Sequence, residues 1–293
     1  MSITYTTQYL NYFDEVYKAE SKTRLLETPQ DALKFMDAHT VAVNKLTVSG
    51  NYTYSRTTGY AAGSADNAWS TYNLAMERGL GINYDALDVN EAKVTAQNIL
   101  NNYLRTSYFP ELDQYRFSRI YSVINGSSVA GTNIVEGTPT ADTIFNDLDA
   151  GIELLDDAEV PRDNRILFIS ENSYRMMKNS GEIFKIKVVG QQSRILDREL
   201  ESYDGHFIIR VPSSRFNTAF TFGEGSVTST GKAINFMLVH APAIMAVIKR
   251  SVMRIWTPEE NLDADAYRVA ARTTHGADVY DNKVSGVYIH KRA

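Results

Sequence analysis

Cysteine is absent from this 293-residue sequence, and with it go disulfide bonds, thiolate nucleophiles and every cysteine-based zinc site. Long apolar runs are scarce. The most apolar stretch, Ile234 to Ile248, is broken by His240 and Pro242 and falls short of the roughly 18 residues a membrane helix needs. It reads as two buried strands around a turn. The start, Met1-Ser2-Ile3-Thr4-Tyr5, has no basic residues followed by an apolar run, so no signal peptide is expected. A strong charge of one sign is also missing. The 30 Lys+Arg stand against 35 Asp+Glu for a formal charge of −5, which argues against a general nucleic-acid binder with a basic face. Tryptophan occurs only twice, yet there are 18 Tyr and 12 Phe. Tyrosine, with an apolar body and a polar tip, suits surfaces buried against a partner. Hydrophobic residues at 43% and charged residues at 22% are ordinary for a globular chain, long enough for one large domain or two modest ones.

The motifs of common chemistries are missing as well. Gly225-Ser226-Val227-Thr228-Ser229-Thr230-Gly231-Lys232-Ala233 approaches a phosphate loop but has one residue too many between its glycines. Ala233 stands where a magnesium-binding hydroxyl belongs, and a strand is expected to follow in place of a helix. Ser229-Thr230-Gly231-Lys232 lacks the companion elements of a Ser-x-x-Lys hydrolase. Gly79-Leu80-Gly81 lacks the third glycine of a dinucleotide fingerprint at Tyr84. None of the histidines (His39, His206, His240, His275, His290) lies within metal-pair spacing of another, so each reads as a surface or strand residue. Glu259, Glu260, Asp263 and Asp265 form an acidic run after Pro258 that reads as a solvated loop. No nucleophile, base or cofactor loop emerges, and no catalytic, cofactor or metal residues are assigned.

The elements present predict an α+β chain. Tyr9, Leu10, Phe13, Val16 and Tyr17 share one helical face, and a second short helix is expected from Pro29 through Phe35 and Met36. From Thr47 to Tyr84 the texture is that of a long hairpin. Val48, Tyr52 and Tyr54 rise, residues 57–64 turn, and Tyr72, Leu74 and Met76 return. Such a hairpin cannot bury itself alone. Asp88 and Glu91 suggest a capping box opening a helical element over about 89–125, interrupted at Pro110 and ended by Gly126. Residues 127–137 read as a boundary loop. Thr138-Pro139 would cap a helix carrying Ile144, Leu148, Ile152 and Leu155. A buried strand follows at Arg165–Ile169, then a helix capped by Ser170 and ending at Asn179. Strands near 207–211, 234–239, 244–249, 252–256 and 286–290 complete the set, without strict βαβ alternation.

Several segments, in order, resemble tailed-bacteriophage major capsid proteins. Glu77-Arg78-Gly79-Leu80-Gly81-Ile82-Asn83-Tyr84-Asp85 through Glu91 looks like the passage from extended loop to spine helix in that family. Phe109-Pro110-Glu111-Leu112-Asp113-Gln114-Tyr115-Arg116 resembles its Pro-Glu-x-Asp-x-Tyr-Arg segment. Asp156 to Pro161 with Arg165 to Ser170, Ile209 to Phe216, Ile234 to His240 and Asp278 to His290 extend the likeness over about residues 75–293. The resemblance implies the Hong Kong 97-type fold. Its parts would be an N-terminal arm (1–46), an extended loop (47–86), a spine helix of the peripheral domain (87–126), most of an axial domain (127–240), and peripheral strands returning to the axial domain (241–293).

The implied role is architectural: a non-enzymatic shell protein of the virion, assembled in the bacterial cytoplasm around packaged double-stranded DNA held non-specifically. Its implied partners are further copies of itself in hexamers and pentamers, a portal protein and, optionally, a decoration protein. The segment before residue 47 is too short for a cleavable scaffolding region and the sequence opens on Met1, so a separate scaffolding protein is expected. Inter-subunit contacts are expected from Tyr9, Phe13, Tyr17, Tyr52, Tyr54, Arg56, Tyr60, Trp69, Tyr72 and Arg78. One branch of the family locks its shell through an isopeptide bond from a loop lysine. Here no lysine lies between Lys45 and Lys93, and arginine cannot replace it as nucleophile, so non-covalent locking is expected. An encapsulin-like compartment shell and an uncharacterised α+β enzyme remain alternatives.

Overall fold

The computed structural model describes residues 21–29, 33–37, 39–85, 96–180, 200–261 and 264–293. The stripe from Tyr9 to Tyr17 and the capping box at Asp88 and Glu91 lie outside them.

β1 (Lys34–Phe35), β2 (Thr40–Val48) and β3 (Ala65–Asn73) form an antiparallel sheet in that order. Two expectations are corrected here. The short helix after Pro29 is absent among the described residues. Phe35 instead pairs with Val41, and the Thr28 N–H donates to the Ala246 carbonyl at 2.9 Å, so strand partners override a weak helical stripe. The hairpin rises on Thr40–Val48 rather than on Val48–Tyr54. Thr40, Val41, Val43, Thr47 and Val48 supply the β-branched character that a pleated strand favours, and residues 49–64 are left as the tip.

The expected returning strand is split in two. β4 (Met76–Asp85) leaves the hairpin and joins β12 (Ile244–Trp256) and β13 (Ala266–Val279) in an antiparallel sheet ordered β12-β13-β4. β13 was not legible in the sequence, and β12 replaces two expected strands, with a bulge between Ile248 and Arg250. Where the chain passes from β3 to β4 it presses on Gly276 of β13. A Cβ there would stand 2.9 Å from the Leu74 Cα, so the crossing requires glycine.

Residues 96–125 follow one helical path. α1 (Ala96–Tyr103) runs through a π turn (Leu104–Tyr108) into α2 (Phe109–Asn125). The expected interruption at Pro110 takes the form of that π turn, which breaks the α pattern without ending the helical path. Pro110 itself sits in the first turn of α2, and the wide turn before it absorbs the missing N–H. The expected loop at 127–137 contains α3 (Ala130–Asn133) and β5 (Ile134–Glu136), whose strand pairs in parallel with Ile289–Lys291.

α4 (Ile144–Asp157) begins after a turn at Thr140–Thr143, later than Thr138-Pro139 suggested. β6 (Arg165–Ser170) is buried throughout, and α5 (Glu171–Asn179) is capped by the Ser170 hydroxyl, which accepts from the Ser173 N–H. β7 (Ser202–Tyr203), β8 (His206–Val211), a small β9 (Phe220–Phe222) and β10 (Val227–Ser229) ribbon, β11 (Ile234–His240) and β14 (Val287–Lys291) follow.

The six-stranded sheet runs β5-β14-β11-β6-β8-β7. Phe117, Ile120 and Ile124 of α2 cover one face against Phe168, Met237 and Val287. Ile144, Leu148, Ile152 and Leu155 of α4 cover the other against Leu167, Phe236 and Tyr288. A sheet covered on both faces needs continuous apolar strands, which is why β6 and β11 read as unbroken runs. α1 packs Leu100 on Val269 and Ala271 of β13.

Candidate functional site

The hairpin carries four of the five exposed aromatic residues described, the fifth being Phe207 of β8. Tyr52, Tyr54, Tyr60 and Trp69 are 58%, 57%, 92% and 54% exposed, and Leu46 and Val48 add 64% each. The tip has its own order. Tyr54 meets Tyr60 edge-on at 5.1 Å, and Ser55 bridges to Gly59 and accepts from the Thr57 and Thr58 N–H groups. The Ser49 N–H donates to the Ser64 carbonyl at 2.8 Å, closing the ladder. These hydrogen bonds run within the tip, so its aromatic surface is offered outward.

The root is anchored in the body. Tyr72, a candidate contact in the sequence, is 8% exposed. It packs with Leu74, Met245 and Val247 and meets Tyr280 edge-on, so it serves its own subunit. Beside it opens a groove of about 630 Å³, walled by Leu25 and Pro29, by Val43, Lys45 and Leu46, and by Pro242 and Lys283. Lys45 is thus part of the hairpin, paired opposite Ala68 in the ladder. The expectation that the hairpin lacks lysine is corrected, because the hairpin begins before residue 47. Lys34 lies over the Trp69 ring at 5.0 Å. Arg56 is exposed in the tip.

Arg78 is engaged inside the chain too. It pairs with Glu111 of α2 and donates to the Gly223 carbonyl at 2.8 Å, joining β4, α2 and the β9–β10 ribbon. Two turns of α2 hold more of this hub. Asp113 is fully buried and accepts from the Ser21 hydroxyl at 2.8 Å, the Lys22 N–H at 3.0 Å, the Thr23 hydroxyl at 2.8 Å and Arg215 at 2.9 Å. Arg116, equally buried, donates to the Thr23 carbonyl and to Glu27. The Pro-Glu-x-Asp-x-Tyr-Arg segment is therefore a clamp. Glu111 fixes the strand leaving the hairpin, and Asp113 and Arg116 fix residues 21–27. No local pattern announces the partners of Asp113 and Arg116 at residues 21–27, which lie about ninety positions away in the chain. Tyr9, Phe13 and Tyr17 lie outside the described residues.

His275 sits under this clamp, 2% exposed and edge-on to Tyr115 at 5.3 Å. Burial, then the nearby Arg116 and Arg78 charges, push its pKa down to about 4 from 6.5. Because the folded pKa is the lower one, His275 has no effect above pH 6.5. Between there and pH 4 the unfolded chain takes up a proton that the native state refuses. Stability is then expected to fall by about 3 kcal/mol over that window. His206, His240 and His290 are lowered by burial as well and act in the same direction. Urea unfolding at pH 7 and pH 4.5 would measure this, and a His275→Gln variant should lose less stability on acidification. An identical loss in both proteins would refute the assignment.

Among the described residues no catalytic constellation accompanies these features. Among the described residues no group of three or more His, Asp or Glu converges as a metal site, and no described helix is long and apolar enough to cross a membrane. The Gly225–Lys232 stretch forms β10 and a turn. A Cβ on Gly231 would stand 2.3 Å from the Ala219 nitrogen, so that glycine serves a close backbone approach. Glu259 and Glu260 stand exposed on a turn.

No family model and no curated protein matches the sequence. Solved structures do. The chain is similar to one in the capsid structure of the cyanophage P-SCSP1u, with a TM-score of 0.72 at 14% identity, over 100% of this chain and 93% of that one. It is similar to a chain of the bacteriophage PhiM1 mature capsid, with a TM-score of 0.70 at 11% identity, over 99% and 92% of the two chains. A chain from Mycobacterium phage Che8 gives 0.70 at 12% identity, over 99% and 98%. The fold is thus one found in phage capsids, and its class is α+β.

Proposed function

We propose that this chain is the major capsid protein of a tailed bacteriophage, many copies of which close into the head shell around double-stranded DNA. The observation that supports this best is the hairpin. It presents an aromatic tip whose ring contacts, among the described residues, lie within the tip itself, on a chain that shares its fold with phage capsid chains. In this reading Thr40–Asn73 is the extended loop, 96–125 the spine, the β12–β13–β4 sheet the peripheral domain and the six-stranded sheet the axial domain. Each subunit makes several contacts at once, so modest affinity per contact suffices for a closed shell. A near-neutral charge suits a wall that must release its DNA. A separate scaffolding protein, a portal and an optional decoration protein complete the assembly in the host cytoplasm.

Expression of the full chain followed by electron microscopy tests this reading. Closed or sheet-like particles are expected, irregular without the scaffolding protein. Uniform shells from the chain alone would remove the scaffold from the proposal, and a strictly monomeric chain would overturn the reading. Particles that purify with an enzyme inside, and not DNA, would point to a compartment shell. Boiled particles should run as a single band near 32.9 kDa, since Lys45 is half-buried beside the groove and the tip itself has no lysine. A covalent ladder abolished by Lys45→Arg would refute non-covalent locking.

A further inference from the structure

We infer that the arginine-lined face of the β12–β13–β4 sheet receives the acidic β12–β13 turn of a second copy of this chain. This rests on the shell reading and adds a specific contact to it. The register pairs Arg250 with Thr274, Val252 with Arg272, Arg254 with Ala270 and Trp256 with Arg268. Residues paired in register point to one face. Val269 and Ala271, which alternate with them on β13, pack on Leu100 of α1. The arginines therefore occupy the side turned away from the spine.

Read along the strands, the charges come in the order Arg250, Arg272, Arg254, Arg268. Each step advances two residues and switches strand, so the four form a zigzag with steps of ~7 Å over ~20 Å. β4 sets Gly79 and Gly81 opposite Arg272 and Ala270, so the middle of the row is open from that flank, while Asn83 stands opposite Arg268. Arg250 and Arg254 are exposed. Arg272 pairs with Glu77, and Arg268 lies over the Trp256 ring at 5.7 Å.

The complementary charge sits on the turn that joins these strands. Glu259, Glu260 and Asp265 are exposed there. The turn is held in shape by the Thr257 N–H donating to Glu260 at 3.2 Å and by Asn261 donating to the Ala266 carbonyl at 2.8 Å. It lies next to the Arg254–Arg268 end of the row. Arg250 lies six residues along β12 from Trp256, roughly 20 Å by strand rise, so the turn of its own copy does not reach that end of the row, whereas the turn of a second copy can lie along it. A head-to-tail contact of this kind gives every copy one donor turn and one receiving row, and rotation closes it into a ring. A continuous polyanion fits less well, because Glu77 and Asp85 bracket the row on β4, whereas a compact turn sits between them.

Charge reversal in the full chain tests the contact. Arg250→Glu with Arg254→Glu, and separately Glu259→Arg with Asp265→Arg, are each expected to lower the sedimenting assembled fraction by about tenfold at moderate salt while thermal unfolding is unchanged. The four changes combined should bring assembly back to within about threefold of the parent chain. A combined variant no better than either pair, or pairs that assemble normally, would overturn the inference while leaving the shell reading standing. A parent chain that never assembles would overturn both. Retention of a duplex DNA fragment is measured in parallel. Loss of DNA binding in the row variant with assembly intact would identify the face as a polyanion surface and refute the inter-subunit contact.

Discussion

Replacing residues 50–63 by a two-residue Asn-Gly turn is expected to yield a subunit that folds with its normal stability but builds no closed particle. The cut preserves the ladder from Thr40–Val48 to Ala65–Asn73, and Asn-Gly suits a tight hairpin turn. It removes Tyr52, Tyr54 and Tyr60, whose contacts lie within the tip. The subunit should lose almost nothing, within about 0.5 kcal/mol for a surface change of this kind. Assembly should lose a great deal. Covering half of a tyrosine's ~200 Å² against a neighbour is worth ~2.5 kcal/mol before ordering costs, and the deletion takes three such residues from every copy in the shell. Sedimentation and electron microscopy of the expressed variant, with urea unfolding as the control, separate the two effects. Normal particles from the shortened chain would show that the hairpin tip is dispensable.

Asp113→Ala is expected to have the largest effect on the subunit itself, about 3–5 kcal/mol of stability. The carboxylate is buried and receives bonds from residues 21–23 and from Arg215, itself buried. Its removal leaves the Arg215 guanidinium without that charge and two backbone N–H groups without acceptors, the situation in which a buried ionic contact matters most. Asp113→Asn keeps the shape and should lose less. Urea midpoints of the three proteins give the comparison, and limited proteolysis should show residues 21–27 cut first in Asp113→Ala. A loss below about 1 kcal/mol would mean that the chain around residue 23 is held by packing rather than by this network.

What could be read from the sequence follows from how each element is stabilised. β6, β11 and α4 were legible because a sheet covered on both faces, and a helix packed along one stripe, leave unambiguous apolar patterns. β13 was not. Its residues 266–279 mix Ala, Arg, Thr and Gly, and its strand state comes from β12 and β4 on either side rather than from its own propensity. Phe35 was read as helical because a stripe ending in Phe-Met is weak information beside a strand partner. In the candidate surface, the tyrosines of the tip were legible as aromatics without a core. Tyr72 was not separable from them, because only the crossing at Gly276 shows that it lies inward. The roles of Asp113 and Arg116 depend on contacts across some ninety residues, which no local pattern encodes.

β11 ends one sheet's business at His240, and β12 opens another's at Ile244. The link between them is the single helical turn Ala241–Ala243. Three residues drawn fully straight span only ~11 Å, so the chain has little slack there. Tension applied to the β12–β13–β4 sheet passes along covalent backbone into β11, a middle strand bonded on both sides within the six-stranded sheet. In the proposed shell, whose wall would be pressed from within, that is a load path through a shear-loaded ladder, in which many hydrogen bonds must yield together rather than one after another.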